Sequence, residues 1–65
     1  MINNNIKNIL SERNISIRKL SRDLEMSYSN AYNLVNRKNL YDTKLGTLIE
    51  IAQYLNVDIN KLYKD

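Results

Sequence analysis

From Tyr28 to Asn36 the chain reads Tyr-Ser-Asn-Ala-Tyr-Asn-Leu-Val-Asn, a run rich in hydrogen-bonding groups and free of charge. If it is helical, a rotation of ~100° per residue gathers Ala31, Leu34 and Val35 on one side. Ser29, Tyr32, Asn33 and Asn36 are then opposite, with Tyr28 on the flank. A helix face made only to be wet usually carries Lys and Glu. An Asn carboxamide instead presents a donor beside an acceptor, the pattern that pairs with an adenine edge, and a Tyr ring offers apolar surface next to a hydroxyl. In a chain with eleven Asn, composition alone would also produce such a face. The neighbouring charges favour the chemical reading: Arg18, Lys19 and Arg22 precede the run and Arg37, Lys38 and Lys44 follow it, as phosphate contacts bracket a groove.

Net charge is +3 over 65 residues, with a pI near 9.3. Arg13 to Lys44 carries seven basic residues against three acidic ones, whereas 45–65 carries two basic against three acidic. A basic centre of this kind suits a polyanionic partner. Cys and His are absent and Gly46 is the only glycine, so the ligands of a structural zinc site, a Ser–His pair and a phosphate-cradling loop are all missing. Neither catalysis nor a metal or other cofactor is expected, and no small-molecule substrate is evident. Apolar runs are two or three residues long, too short for a membrane span or a signal core; the expected setting is the cytoplasm, with no membrane partner.

Apolar periodicity divides the chain into five short helices, with Asn replacing Gly and Pro as punctuation at Asn14, Asn36, Asn39 and Asn56. Ile2, Ile6, Ile9 and Leu10 form the stripe of a helix over about 3–13. Ser16 caps a second over about 17–25 and Ser27 a third over about 28–36. After a polar stretch from Arg37, either Asp42 or Thr43 caps a fourth, in which Leu45, Leu48, Ile49, Ile51, Ala52 and Leu55 mark the central core element. Asp58 caps the last, over about 59–63. No strand alternation is visible, and 1–65 reads as one all-α domain. Small Ser21 and Ala31 let the second and third helices approach at a steep angle across the turn Glu25-Met26-Ser27, which is the spacing of a helix-turn-helix over about 16–36.

With these residues in place the chain resembles the Cro and phage-repressor (XRE-like) family. The likeness runs through Ile15-Ser16, Leu20-Ser21, Leu24, Met26-Ser27, Ala31 and Leu34, then Leu45, Leu48, Ile51-Ala52, Leu55-Asn56-Val57 and Leu62. It implies a lambda-repressor-like fold and a Cro-like repressor, phage or bacterial, that binds a double-stranded DNA operator in the major groove. On that likeness Tyr28, Ser29, Tyr32 and Asn33 read bases, while Ser16, Arg18, Asn36, Arg37, Lys38 and Lys44 contact phosphates. It also implies a homodimer joined near the start of the last helix, through Val57, Ile59 and Tyr63, with reading helices ~34 Å apart.

The chain departs from the family pattern at four places. Ile17 replaces a phosphate-touching Gln, leaving backbone amides and Arg18 for that task, and Ser21 replaces Ala. Glu25 replaces the Gly of the turn, which implies a side chain at positive φ. Leu10 and Val35 replace a frequent Arg–Glu pair by packed apolar groups. For Tyr54 and Tyr63 the expectation is partial burial with the hydroxyl in water. A different class of function also fits the uncharged third helix: an interaction module on the same fold, antirepressor or antitoxin-like, that binds protein instead of DNA.

Overall fold

The computed structural model describes residues 2–64. The order is β1 (Asn3–Asn4), α1 (Ile6–Glu12), α2 (Ile17–Asp23), α3 (Tyr28–Asn36), α4 (Leu45–Leu55), a single 3-10 turn (Ile59–Lys61) and β2 (Tyr63–Lys64). Four α-helices therefore stand where five were expected. The fifth segment shrinks to one turn held by i→i−3 bonds, Lys61 N–H to Asp58 O and Leu62 N–H to Ile59 O. It stops there because Tyr63 and Lys64 are extended and pair antiparallel with Asn4 and Asn3. The same ribbon shortens α1 at its start, which begins at Ile6 instead of about residue 3.

Helix ends follow one rule with one exception. Asn14, Glu25 and Asn56 take φ of 56°, 55° and 56°, each just past a helix. The residue after each donates its N–H five positions back: Ile15 to Leu10 O, Met26 to Ser21 O and Val57 to Ala52 O, at 2.9, 2.9 and 3.0 Å. This is the left-handed helix stop usually built on glycine, and Ile15, Met26 and Val57 add its apolar contact by packing against the core. Gly46 takes no part, since it lies inside α4 with negative φ.

The exception is α3, which runs into an extended Arg37 and leaves its last carbonyls without a backbone stop. Asn4 supplies the partner. Its Nδ2 donates to Leu34 O at 2.8 Å, Arg37 O at 3.0 Å and Val35 O at 3.3 Å, while its Oδ1 accepts from Ile6 N–H at the start of α1. Two amide protons serve three carbonyls, so some of these bonds are shared. Asn4 N–H donates to Lys38 O and Asn5 N–H to Leu62 O, tying β1 and the residue after it to both ends of the chain's second half. Asn5 Nδ2 does for the 3-10 turn what Asn4 does for α3, donating to Lys61 O. Arg13 likewise donates from Nη1 to Leu55 O at the end of α4.

The core comprises Ile6, Ile9, Leu10, Leu20, Leu34, Val35, Leu40, Ile51, Ala52, Leu55 and Leu62, with Ala31 buried between α2 and α3. Each fully buried Leu or Ile is worth ~1.5–3 kcal/mol relative to exposure. Leu10 and Val35 are both in it. Leu40 lies in the stretch expected to be polar, yet its backbone N–H donates to Ile2 O and its side chain is buried in the core. Conversely, α4 is only half central: Ile51, Ala52 and Leu55 are buried, but Leu45 is 65% and Ile49 41% exposed. The start of α4 differs too, for Lys44 occupies the cap position and no side chain bonds there. Tyr54 is partly buried as expected, but its hydroxyl donates to Asp23 Oδ2 at 2.5 Å and joins α4 to α2.

Two outcomes are expected in thermal unfolding. Glu25→Gly should stabilise by ~1 kcal/mol by relieving the left-handed strain, raising Tm by roughly 4–8 °C, while Asn14→Gly and Asn56→Gly gain less because Asn tolerates that conformation. A falling Tm for Glu25→Gly would refute the strain. Asn4→Ala should cost ~1–3 kcal/mol, and Asn4→Asp more, since a carboxylate would face carbonyl oxygens where an amide donates. Equal stability of the Asp variant and the parent would show that the three carbonyls do not need Asn4.

Candidate nucleic-acid interface

The two helices that would meet DNA are each capped by serine. Ser16 Oγ accepts from Lys19 N–H at 3.0 Å and Ser27 Oγ from Asn30 N–H at 3.1 Å, which fixes where α2 and α3 begin. Between them Ala31 is fully buried and Ser21 nearly so, its Oγ turned back to Arg18 O at 2.8 Å, so no bulky group separates the helices. Leu20 and Leu34 fill the space beneath. What remains outside on α3 is Tyr28, Ser29, Asn30, Tyr32, Asn33 and Asn36, all exposed.

These residues differ in freedom. Asn36 Nδ2 donates to Tyr32 O at 3.0 Å, within its own helix. Tyr28 and Tyr32 approach with ring centroids 6.1 Å apart and planes tilted by 38°, and the Arg18 guanidinium lies 5.0 Å from the Tyr28 centroid. Asn33 shares a shallow polar groove with Asn30, Arg37, Thr43, Lys44 and Thr47, between α3 and the start of α4. Arg37 Nη1 donates to Thr43 Oγ1 at 2.8 Å, which steadies the guanidinium at that rim. Since no side chain caps α4, its first amides remain open to an anion beside Lys44. Asn30, Thr43 and Thr47 are not among the site residues expected from the sequence, where Thr43 reads only as a helix cap; they lie off the centre of the α3 face or outside it, and only folding brings them to the groove.

The cations on the α2 side are not equivalent. Lys19 Nζ is 2.9 Å from Asp23 Oδ2, and this carboxylate also accepts from Tyr54. The Tyr54 bond, then the Lys19 bond, hold the Asp23 carboxyl below its ordinary pKa; the bond to Asp23 raises both Lys19 and Tyr54. Arg22 stands 4.0 Å from the same carboxylate. Arg18 has no acidic partner among the described residues, which leaves its charge for an outside anion. Ser16 and Lys38 are exposed as well, Ser16 at the start of α2 and Lys38 just beyond α3.

Elsewhere an apolar groove opens between α4 and the 3-10 turn, lined by Leu45, Ile49, Val57 and Ile59, with Asp58 and Lys61 at its polar edge. Val57 and Ile59 thus meet there, joined by two α4 residues that the sequence assigned to the core. Tyr63 lies outside this lining, in β2. No helix among the described residues is long and apolar enough to cross a membrane.

Comparison with known proteins agrees with this geometry. A comparison with curated proteins finds no match. A crystal structure from Bacteroides fragilis, whose protein carries a provisional DNA-binding description, superposes with a TM-score of 0.82 at 28% identity, covering 98% of this chain and 100% of that one. The model of the Cro/C1-type HTH DNA-binding domain matches residues 5–65. With its paired serine-capped helices and its match over nearly the whole chain, the protein belongs to the Cro/C1-type helix-turn-helix DNA-binding family.

Proposed function

We propose that the protein is a sequence-specific transcriptional regulator, a Cro-like repressor, that binds its operator as a homodimer in the cytoplasm, with 1–65 acting as one domain. The observation that carries this reading is the exposed face of α3, uncharged and hydrogen-bonding, flanked by Arg18 on one side and by Arg37 and Lys44 on the other. Tyr28, Ser29, Tyr32 and Asn33 read base edges in the major groove; Ser16, Arg18, Asn36, Arg37, Lys38 and Lys44, with the open amides of α4, hold the phosphates. Occupancy of the site then excludes competing proteins.

The dimer contact is drawn from the groove of Val57 and Ile59, extended by Leu45 and Ile49, with Tyr63 at most on its periphery. A two-fold contact there opposes like apolar surfaces and lets Asp58 of one copy face Lys61 of the other. The backbone envelope is 29 × 22 × 18 Å, so two abutting copies are of a size to set their reading helices one DNA turn (~34 Å) apart.

Binding should fall by ~10³-fold or more between 50 and 200 mM salt if six or more phosphates are contacted. Arg37→Ala and Lys38→Ala should each weaken specific and random duplex alike and lower the salt slope by about one unit. Loss of discrimination at an unchanged slope would mean that these side chains read bases. Asn33→Ala should cost ~1–3 kcal/mol on the selected operator and relax one base pair per half-site, leaving random duplex and Tm nearly unchanged. Ser29→Ala and Tyr28→Ala should act likewise at adjacent pairs. If all three bind the operator as tightly as the parent, α3 is not the reader, and the protein-interaction reading takes its place.

A further inference from the structure

Within the hydrogen-bonding face of α3 lies an apolar island. Tyr28 is 45% and Tyr32 50% exposed, one helical turn apart, and their rings form a continuous surface because the 6.1 Å centroid distance is that of an interacting pair. Arg18 lies over the Tyr28 ring at 5.0 Å, the distance of a cation–π contact. That contact holds the Tyr28 ring in place and keeps a cation beside the island. Ser29, Asn33 and Asn36 around it are small or polar. The island lies on the first turns of α3, the end of a reading helix that addresses base edges.

In the major groove each base presents hydrogen-bonding groups, and the one apolar substituent among them is the 5-methyl group of thymine, which 5-methylcytosine also carries. We infer that Tyr28 and Tyr32, with Arg18 stacked on the first, form a subsite for a pyrimidine 5-methyl group and set the specificity of the protein at that base pair. The inference rests on the proposal that α3 enters the major groove. It adds which chemical group the helix selects. Tyr rings suit the task because two χ angles leave little side-chain freedom to lose, and the Arg18 contact restricts Tyr28 further. The guanidinium, free of any acid among the described residues, is placed to meet the phosphate alongside.

The test begins with duplexes selected from a random pool by the whole protein. Each thymine of the enriched sequence is then replaced singly by deoxyuridine, which removes the methyl group and leaves every hydrogen-bonding edge unchanged. One thymine per half-site should lose about fourfold in affinity, the worth of one buried methyl group. The loss should persist in Tyr28→Phe/Tyr32→Phe and vanish in Tyr28→Ala/Tyr32→Ala, whose exposed positions leave the fold intact. At the same position a 5-methylcytosine·guanine pair should bind about fourfold better than cytosine·guanine, and its rank against thymine·adenine tells which base is the natural source of the methyl. Tolerance of deoxyuridine at every position, or an equal penalty in the double Ala variant, overturns the subsite while the DNA-reading proposal stands. Failure to enrich any duplex overturns both.

Discussion

The carboxamide of Asn4 is the interaction on which the arrangement of this small fold depends. It closes the end of α3 with its amide protons and the start of α1 with its oxygen. The other three helices end themselves through a left-handed residue and a returning N–H. The helix with the candidate reading face is the one that does not, and it borrows its terminus from a residue 30 positions away. That choice has a geometric benefit: with no left-handed turn at Arg37, the chain leaves α3 in extended form and carries Arg37 and Lys44 to the edge of the same face.

Much of this was legible in the residue pattern, and what was not has identifiable causes. The serine caps, the turn at Glu25-Met26-Ser27 and the division of α3 into a buried and an exposed side all follow from local chemistry, so the helix-turn-helix could be read directly. The positive φ of Glu25 followed from the family likeness. Asn14 and Asn56 behave as Asn punctuation suggests, whereas Asn36 closes α3 while still helical and Asn39 forms a bridge to Asn3. Asn4 was hidden because its partners are distant in sequence and because Asn3-Asn4-Asn5 also fits the polar side of a helix. A strand of two residues is too short to show any alternation. Leu40 stands alone among polar neighbours, so no periodicity could mark it as core.

The exposed side of α4 has a different origin. Leu45, Leu48, Ile49, Ile51, Ala52 and Leu55 are dense enough to suggest a helix buried on most sides, but a domain of this size offers cover for only part of that surface. Ile51, Ala52 and Leu55 are buried and Leu48 packs half-buried beside the core, while Leu45 and Ile49, with Ile59, are exposed. Density along the sequence reports how much apolar surface a helix has and is silent on which portion a partner must cover. The candidate DNA face and this apolar groove share no lining residue among those named, so the two surfaces can vary separately.

The ribbon of β1 and β2 joins Asn3 to Lys64, so the two ends of the described chain emerge side by side. In kinetic terms this is the longest loop closure in the molecule. The serine caps and the left-handed stops involve residues three to five positions apart and cost little entropy to form, whereas the ribbon must wait until nearly the entire chain has been gathered. By the same reasoning it is a weakly held pairing for its span, because each of its strands has two residues. Asn4 belongs to that ribbon and also meets the end of α3 directly, so the two long-range closures share one residue. The end of the candidate reading helix is therefore linked, through one carboxamide, to a pairing between residues 61 positions apart.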